Sequence, residues 1–164
     1  PQNVGLLIRE EIFGTILEGI NEHKSHEALQ AMGCGLLWAL ACHGRPLPGM
    51  ADAVLRAMLR HPSSLGVQLH GCAAVHSFAS KEMNMSAILG SIISAVLSAM
   101  HGHKDKVEVQ EYGCAALFSL ASSNFTQFVA SASCERTIEV VLKTMQAHQT
   151  QVTIQEQGCC ALCI

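Results

Sequence analysis

Charge is scarce in this chain of 164 residues. Asp, Glu, Lys and Arg together make up 14% of it, against about 25% in an ordinary globular domain. With 49% hydrophobic residues, the chain cannot be disordered, which would need the opposite balance. Positive charge is scarcer still: 10 Lys and Arg stand against 13 Asp and Glu, a formal net charge of -3. That leaves no basic field for nucleic acid or an anionic membrane surface. Aromatic residues are only 4%, while Ala, Leu, Met and Ser are frequent, which argues against a sandwich of strands. Signature motifs of catalysis are missing as well. There is no Gly-x-Ser-x-Gly, no phosphate-binding Gly-Lys-Ser/Thr, no His-Glu-x2-His and no dinucleotide fingerprint, so no enzyme activity and no cofactor are expected.

Long stretches carry no Asp, Glu, Lys or Arg, among them 28–44, 83–103 and 112–134. The last two are long enough to span a bilayer. Polar residues such as Asn84, Ser91, His101, Ser119, Asn124 and Gln127 interrupt them, and their apolar residues recur at helical spacing. They are read as buried helices, with no membrane contact. Eight cysteines invite a disulfide reading. Four of them, however, recur at one equivalent position, as buried free cysteine does, and this points to a reducing, intracellular and cytoplasmic setting. The chain starts at Pro1 and stops at Ile164 within a helical pattern, which suggests an excerpt of a longer one.

What is abundant is repetition. Gly-Cys occurs at Gly33, Gly71, Gly113 and Gly158, at intervals of 38, 42 and 45 residues. Three positions before each Gly stands Gln (Gln30, Gln68, Gln110, Gln155), and ten before stands His (His23, His61, His103, His148). Thirteen before come Ile20, Met58, Met100 and Met145; four after come Leu37, Val75, Leu117 and Leu162. Spacings of three, four and seven are helical. Each unit therefore holds two helices, the first at about 12–23, 50–61, 90–103 and 136–148, the second at about 27–42, 65–80, 107–122 and 152–164. A short extra helix is expected at 84–90 and again at 123–132, and none between 42 and 49, where Gly and Pro accumulate. The repeating Gly sits mid-helix at a cost of roughly 1 kcal/mol relative to Ala, which implies a close approach there. Each His is expected to cap the carbonyl end of its helix, and each Gln to bond loop backbone that burial would leave unsatisfied.

The unit, with its long last helix reading Val-Gln-x2-Gly-Cys-Ala-Ala-Leu-x-Ser-Leu-Ala over Val109–Ala121, resembles an armadillo repeat. The resemblance covers nearly the whole chain. It implies an all-α, right-handed armadillo/HEAT-like α-solenoid of about four repeats, a single array over 1–164 with units at about 1–46, 47–83, 84–122 and 123–164. It also implies a non-catalytic scaffold for protein–protein interaction, with a protein or peptide partner held along a groove lined by the last helices. The His and Gln-x2-Gly-Cys flavour is similar to arrays attached to larger signalling chains, Roco-type kinases and pseudokinases among them. The alternative function is thus an intramolecular regulatory array of a kinase, pseudokinase or GTPase chain, whose partner is another domain of the same chain. Exposed terminal repeats would favour self-association.

Phasing the last helix on its Gly at 100° per residue sends the positions two and six after it into the groove. These are Gly35, Ala73, Ala115 and Cys160, then Ala39, Ser77, Ser119 and Ile164. Trp38, His76, Phe118 and Cys163 flank them on one side, and Met32, His70, Tyr112 and Gln157 on the other. The Trp and Asn ladders by which nuclear-import armadillo proteins clamp basic peptides are absent, and so are Lys and Arg that would hold an acidic one. The candidate partner-binding residues are Trp38, His70, Ala73, His76, Ser77, Tyr112, Ala115, Phe118 and Ser119, a small-residue strip suited to a helix or apolar segment. The competing reading packs Trp38 and Phe118 against the next repeat. Cys159-Cys160-x2-Cys163 near His148 is read as core and groove cysteine; consecutive helical residues diverge by about 100° and converge poorly on one zinc ion.

Overall fold

The computed structural model describes residues 2–81, 83–131 and 133–163, with side chains from residue 10 on. Among them are nine α-helices, one 3-10 turn and no strand. α1 (Gln2–Glu22) and α2 (Glu27–Cys42) form a first hairpin, α3 (Met50–Arg60) and α4 (Leu65–Ser80) a second. The 3-10 turn Ser86–Ile88 leads into α5 (Leu89–Gly102) and α6 (Val107–Ser123). The short α7 (Phe125–Val129) precedes the last hairpin, α8 (Cys134–Ala147) and α9 (Val152–Leu162).

Periodicity placed the hairpin helices well and the extra ones poorly. α1 begins at Gln2 rather than near residue 12, because residues 2–11 include good helix formers and no proline. The helix expected at 84–90 is a single 3-10 turn. Asn84 starts it by accepting the Ser86 backbone N–H at 3.1 Å and the Ser86 hydroxyl at 2.7 Å, an Asx turn. The one expected at 123–132 is α7 alone, since Ser123 still belongs to α6 and Ala132 lies outside the described residues. The link after α2 holds no helix; Gly49 turns the chain into α3 with φ of 88°, a left-handed conformation that costs glycine little.

The second helices of the hairpins pack in sequence, α2 on α4, α4 on α6, α6 on α9, and the first helices α1, α3, α5 and α8 follow in the same order as a second layer. The core lies between the layers. Leu37, Val75 and Leu117, the column four after the Gly, are buried, with Phe78 and Leu120 beyond them. The arrangement is compatible with an α-solenoid.

Three columns of the repeat hold this stack. The glycine column is where each hairpin closes. A Cβ at Gly71, Gly113 or Gly158 would sit 2.5–2.6 Å from the Cγ of Met58, Met100 or Met145, and one at Gly33 would sit as close to Ile20. The glutamine column closes the end of the first helix. Each Gln amide donates to two carbonyls, ten and seven residues back: Gln68 to Met58 and His61 at 2.9 Å each, Gln110 to Met100 at 2.9 Å and His103 at 3.0 Å. Gln30 and Gln155 repeat the pattern. The helix-end capping expected of His is therefore done by Gln.

The histidines act between hairpins instead. Nε2 of His61 donates to the Lys24 carbonyl at 2.7 Å, His103 to Pro62 at 3.1 Å and His148 to Lys104 at 2.8 Å. Each acceptor is the turn of the preceding hairpin. The reason is geometric: the His sits at the C-cap with its own backbone N–H already bonded inside the helix, and its ring projects along the stack. The columns are not perfectly filled. Gln110 Oε1 accepts from the Thr144 hydroxyl at 3.0 Å, whereas Gln30 Oε1 is buried without a partner. Ala57 occupies the position in α3 that Thr144 holds in α8.

Candidate functional site

The row of α2, α4 and α6 carries one aromatic side chain from each. The Trp38 and His70 rings lie 6.3 Å apart, near-parallel at 28°. Trp38 and Tyr112 meet edge to face at 5.5 Å and 73°. Such pairs contribute about 0.5–1.5 kcal/mol beyond their buried area. His70 is locked further, since Nδ1 donates to the Ala31 carbonyl of α2 at 2.9 Å. Nδ1 of His76 lies 2.9 Å from the Ser119 hydroxyl and 3.3 Å from the Ala115 carbonyl on α6. Each of these side chains spans two helices, so their positions are fixed before any partner arrives.

The strip between them is closed rather than open. Ala73 is 0% exposed, and Ser77, Ala115 and Ser119 are 8%, 7% and 6%. A Cβ at Gly35 would meet the His70 ring at 3.3 Å. Small residues at these positions let neighbouring helices approach, and that approach buries them in the seam. Ser77 thus lies against Cys42, and Ser119 against Ser80. The surface left accessible is the flanking set: Trp38, His70, His76, Tyr112 and Phe118 are all half-buried, and Ala39 is exposed. Trp38 packs on the following hairpins as well as facing outward, so the two readings of that residue are not exclusive. Ile164 lies outside the described residues.

Two polar features escaped the columns. Lys81, the cap residue that follows α4, lays its ammonium on three carbonyls at and just past the end of α2, Ala41 at 2.5 Å, Cys42 at 2.8 Å and Gly44 at 3.2 Å. It has no counterpart of its type in the other units, so alignment could not mark it. Thr153 of α9 donates its hydroxyl to the Glu111 carboxylate of α6, a pair likewise present at one junction only.

Burial pushes the thiols of Cys34, Cys72 and Cys114 up to about 12; for Cys72 the neighbouring Cys114 adds to it. Cys42, Cys159 and Cys163 are exposed and free. Because the thiolate is the reactive form, iodoacetamide at mildly alkaline pH should label the exposed three in the native protein. Cys34, Cys72 and Cys114 should react only after denaturant, as peptide mass mapping would read. Rapid native labelling of Cys72 would contradict the packing. Among the described residues no three His, Cys, Asp or Glu side chains gather as metal donors, and no helix is long and apolar enough to cross a membrane.

Residues 56–163 match the family model described as protein zer-1 homolog-like, C-terminal domain. The match starts inside α3 and runs just past the end of α9. The chain belongs to this family. Within the zer-1 homolog-like domain fall three of the four Gln and Gly positions, the His ladder from His61 on, and His70, Tyr112 and Phe118. Trp38 and the first hairpin precede the matched residues. No curated protein and no solved structure matches the chain.

Proposed function

We propose that this zer-1 homolog-like chain is a non-enzymatic interaction module. It is an armadillo-like, right-handed array of about four units, at 1–46, 47–83, 84–122 and 123–164, that holds a segment of a protein partner. The observation that supports it most directly is the fixed aromatic row of Trp38, His70 and Tyr112 across α2, α4 and α6; Phe118, also half-buried, stands six residues after Tyr112 on α6. Such rigid, part-exposed aromatics are typical anchors of interfaces. The row carries no Lys, Arg, Asp or Glu, so it suits an apolar or helical segment better than a charged one. Ala73, Ser77, Ala115 and Ser119 support the row from beneath. The reading requires no metal or cofactor, and free cysteines in the core suit a reducing, cytoplasmic compartment. Apolar side chains at the two ends, Met32 and Leu36 on α2 and Val152 on α9, are where self-association would occur. The other reading, an array restraining a kinase or GTPase domain of the same chain, draws no support from the family, whose description names neither.

The test is affinity capture with wild-type protein, Trp38→Ala and Phe118→Ala, comparing recovered partners by quantitative mass spectrometry. Partners captured by the wild type should fall at least tenfold with either variant, while helical circular dichroism stays unchanged. Undiminished capture by both variants would reject the aromatic row as the binding surface.

A further inference from the structure

Two neighbouring junctions of the array carry the same contact and differ beside it. Where α2 meets α4, the Cys42 thiol lies 3.6 Å from the Ser77 hydroxyl. Where α4 meets α6, the Ser80 hydroxyl lies 3.1 Å from that of Ser119. Cys42 and Ser80 each stand nine after their Gly, and Ser77 and Ser119 each six after theirs. The two junctions are therefore in one register and can be compared residue by residue.

At the first junction Lys81, ten after Gly71, supplies the ammonium that sits on the carbonyls of Ala41, Cys42 and Gly44. Ala41 and Cys42 end α2, where the last four C=O groups lack an intrahelical partner and the helix dipole concentrates negative potential, and Gly44 lies just beyond its cap. At the second junction the residue ten after Gly113 is Ser123. Its hydroxyl turns back on its own helix, donating to Ser119 at 2.8 Å and Leu120 at 3.3 Å. Beside it opens a cleft of about 290 Å³ between Ala79 and Ser80 of α4 and Phe118, Ser119, Ser122 and Ser123 of α6. It adjoins a second hollow of about 440 Å³ at Asn84 and Asn124 that shares Ser122 and Ser123. Among the described residues the walls of both hold no charged side chain; they offer hydroxyl and amide oxygens and the carbonyl end of α4.

We propose that the cleft between the C-terminal ends of α4 and α6 receives the side-chain ammonium of a lysine from a partner protein. It seats on the end carbonyls of α4 as Lys81 seats on those of α2. The inference rests on the protein-binding reading and adds a chemistry the partner must bring. An ammonium is compact and carries three donors, and the Lys81 seat shows three acceptors converging on one. Among the described residues the walls contain no anion, so a single lysine binds weakly, with dissociation in the millimolar range, and serves as one anchor among the contacts of a larger segment.

The test uses Nα-acetyl-lysine methylamide as probe, with its Nε-acetylated form as control, and amide NMR of the wild-type chain. The lysine probe should shift the amides of Ser119, Ser122 and Ser123, and the acetylated one should leave them unmoved. Ser123→Lys, which tethers an ammonium where Lys81 stands one junction earlier, should abolish the shifts. It should also raise the melting temperature by a few degrees over Ser123→Met, which matches its length without its charge. Absence of shifts in the wild type overturns the proposal whatever the variants do. Equal shifts from the acetylated probe, or survival of the shifts in Ser123→Lys, overturn it too. A cleft that ignores the probe while Trp38→Ala still loses partners defeats this site alone; a cleft that binds while Trp38→Ala loses nothing defeats the aromatic row alone.

Discussion

Gln110→Leu should lower the stability of the chain by about 2–4 kcal/mol, among the largest losses expected from one substitution. Leucine keeps most of the volume but removes the amide that bonds the Met100 and His103 carbonyls at the end of α5. It also removes the oxygen that accepts from Thr144. Two helix-end carbonyls and one hydroxyl lose their partner together. Gln110 is 1% exposed, so water cannot take its place, and the desolvation cost of the abandoned groups remains. Gln155→Leu tests the reason. Its two bonds are equivalent, but the residue is half-buried at the end of the array, where water replaces the amide; its loss should be no more than about half as large. Urea unfolding with an unchanged slope measures both. Equal losses would mean that burial does not control the contribution of the clamp.

The second large effect belongs to the glycine column, and its sign is the informative part. Alanine in place of a mid-helix glycine ordinarily gains roughly 1 kcal/mol. Gly14→Ala in α1, where a Cβ meets nothing within 4 Å, should show that gain. At Gly113 the Cβ would lie 2.5 Å from Cγ and 2.7 Å from Sδ of Met100, itself 1% exposed. The thioether must move or α5 must shift, and overpacking of this kind costs typically about 1–3 kcal/mol. Gly113→Ala should therefore come out destabilising by about 1–2 kcal/mol once the helix gain is subtracted. Shortening the partner with Met100→Val in the same chain should recover part of that loss, a coupling read by a double-mutant cycle. A stabilising Gly113→Ala would show that the hairpin is looser than the packing describes.

Both effects arise in columns that were legible beforehand. The hairpin helices, their order and their turns followed from the spacing of apolar residues, because a helix must turn one face to its neighbour and that face recurs every three or four residues. The close approach at Gly33, Gly71, Gly113 and Gly158 followed from the cost of placing glycine in a helix. Cys34, Cys72 and Cys114 are buried as their place beside it implied, whereas Cys159, expected in the same column, is exposed on the last hairpin, which has no following hairpin among the described residues to cover it. The glutamines bond buried backbone at the helix end and turn, as their column implied, whereas the histidines, expected to cap their own helices, reach the preceding turn instead. The sequence shows that each recurs at a fixed distance from the helix end, but not which way a side chain points once the helix ends are set side by side. The candidate surface was half legible. Trp38, His70 and Tyr112 were named as flanks, and their meeting as one row depends on how far α2, α4 and α6 are offset.

The amino-acid order by itself determined a stack of helical hairpins with an uncharged inner face, since periodicity and burial act over a few turns of one chain segment. Only the tertiary structure decided that Ala73, Ser77, Ala115 and Ser119 are shut inside the seam, that Lys81 reaches across to α2, and that the matching place at α4 stands open. Those outcomes turn on the distance between helices far apart in sequence. A difference of one side chain, Lys81 against Ser123, changes what fills the gap without changing the pattern that builds it.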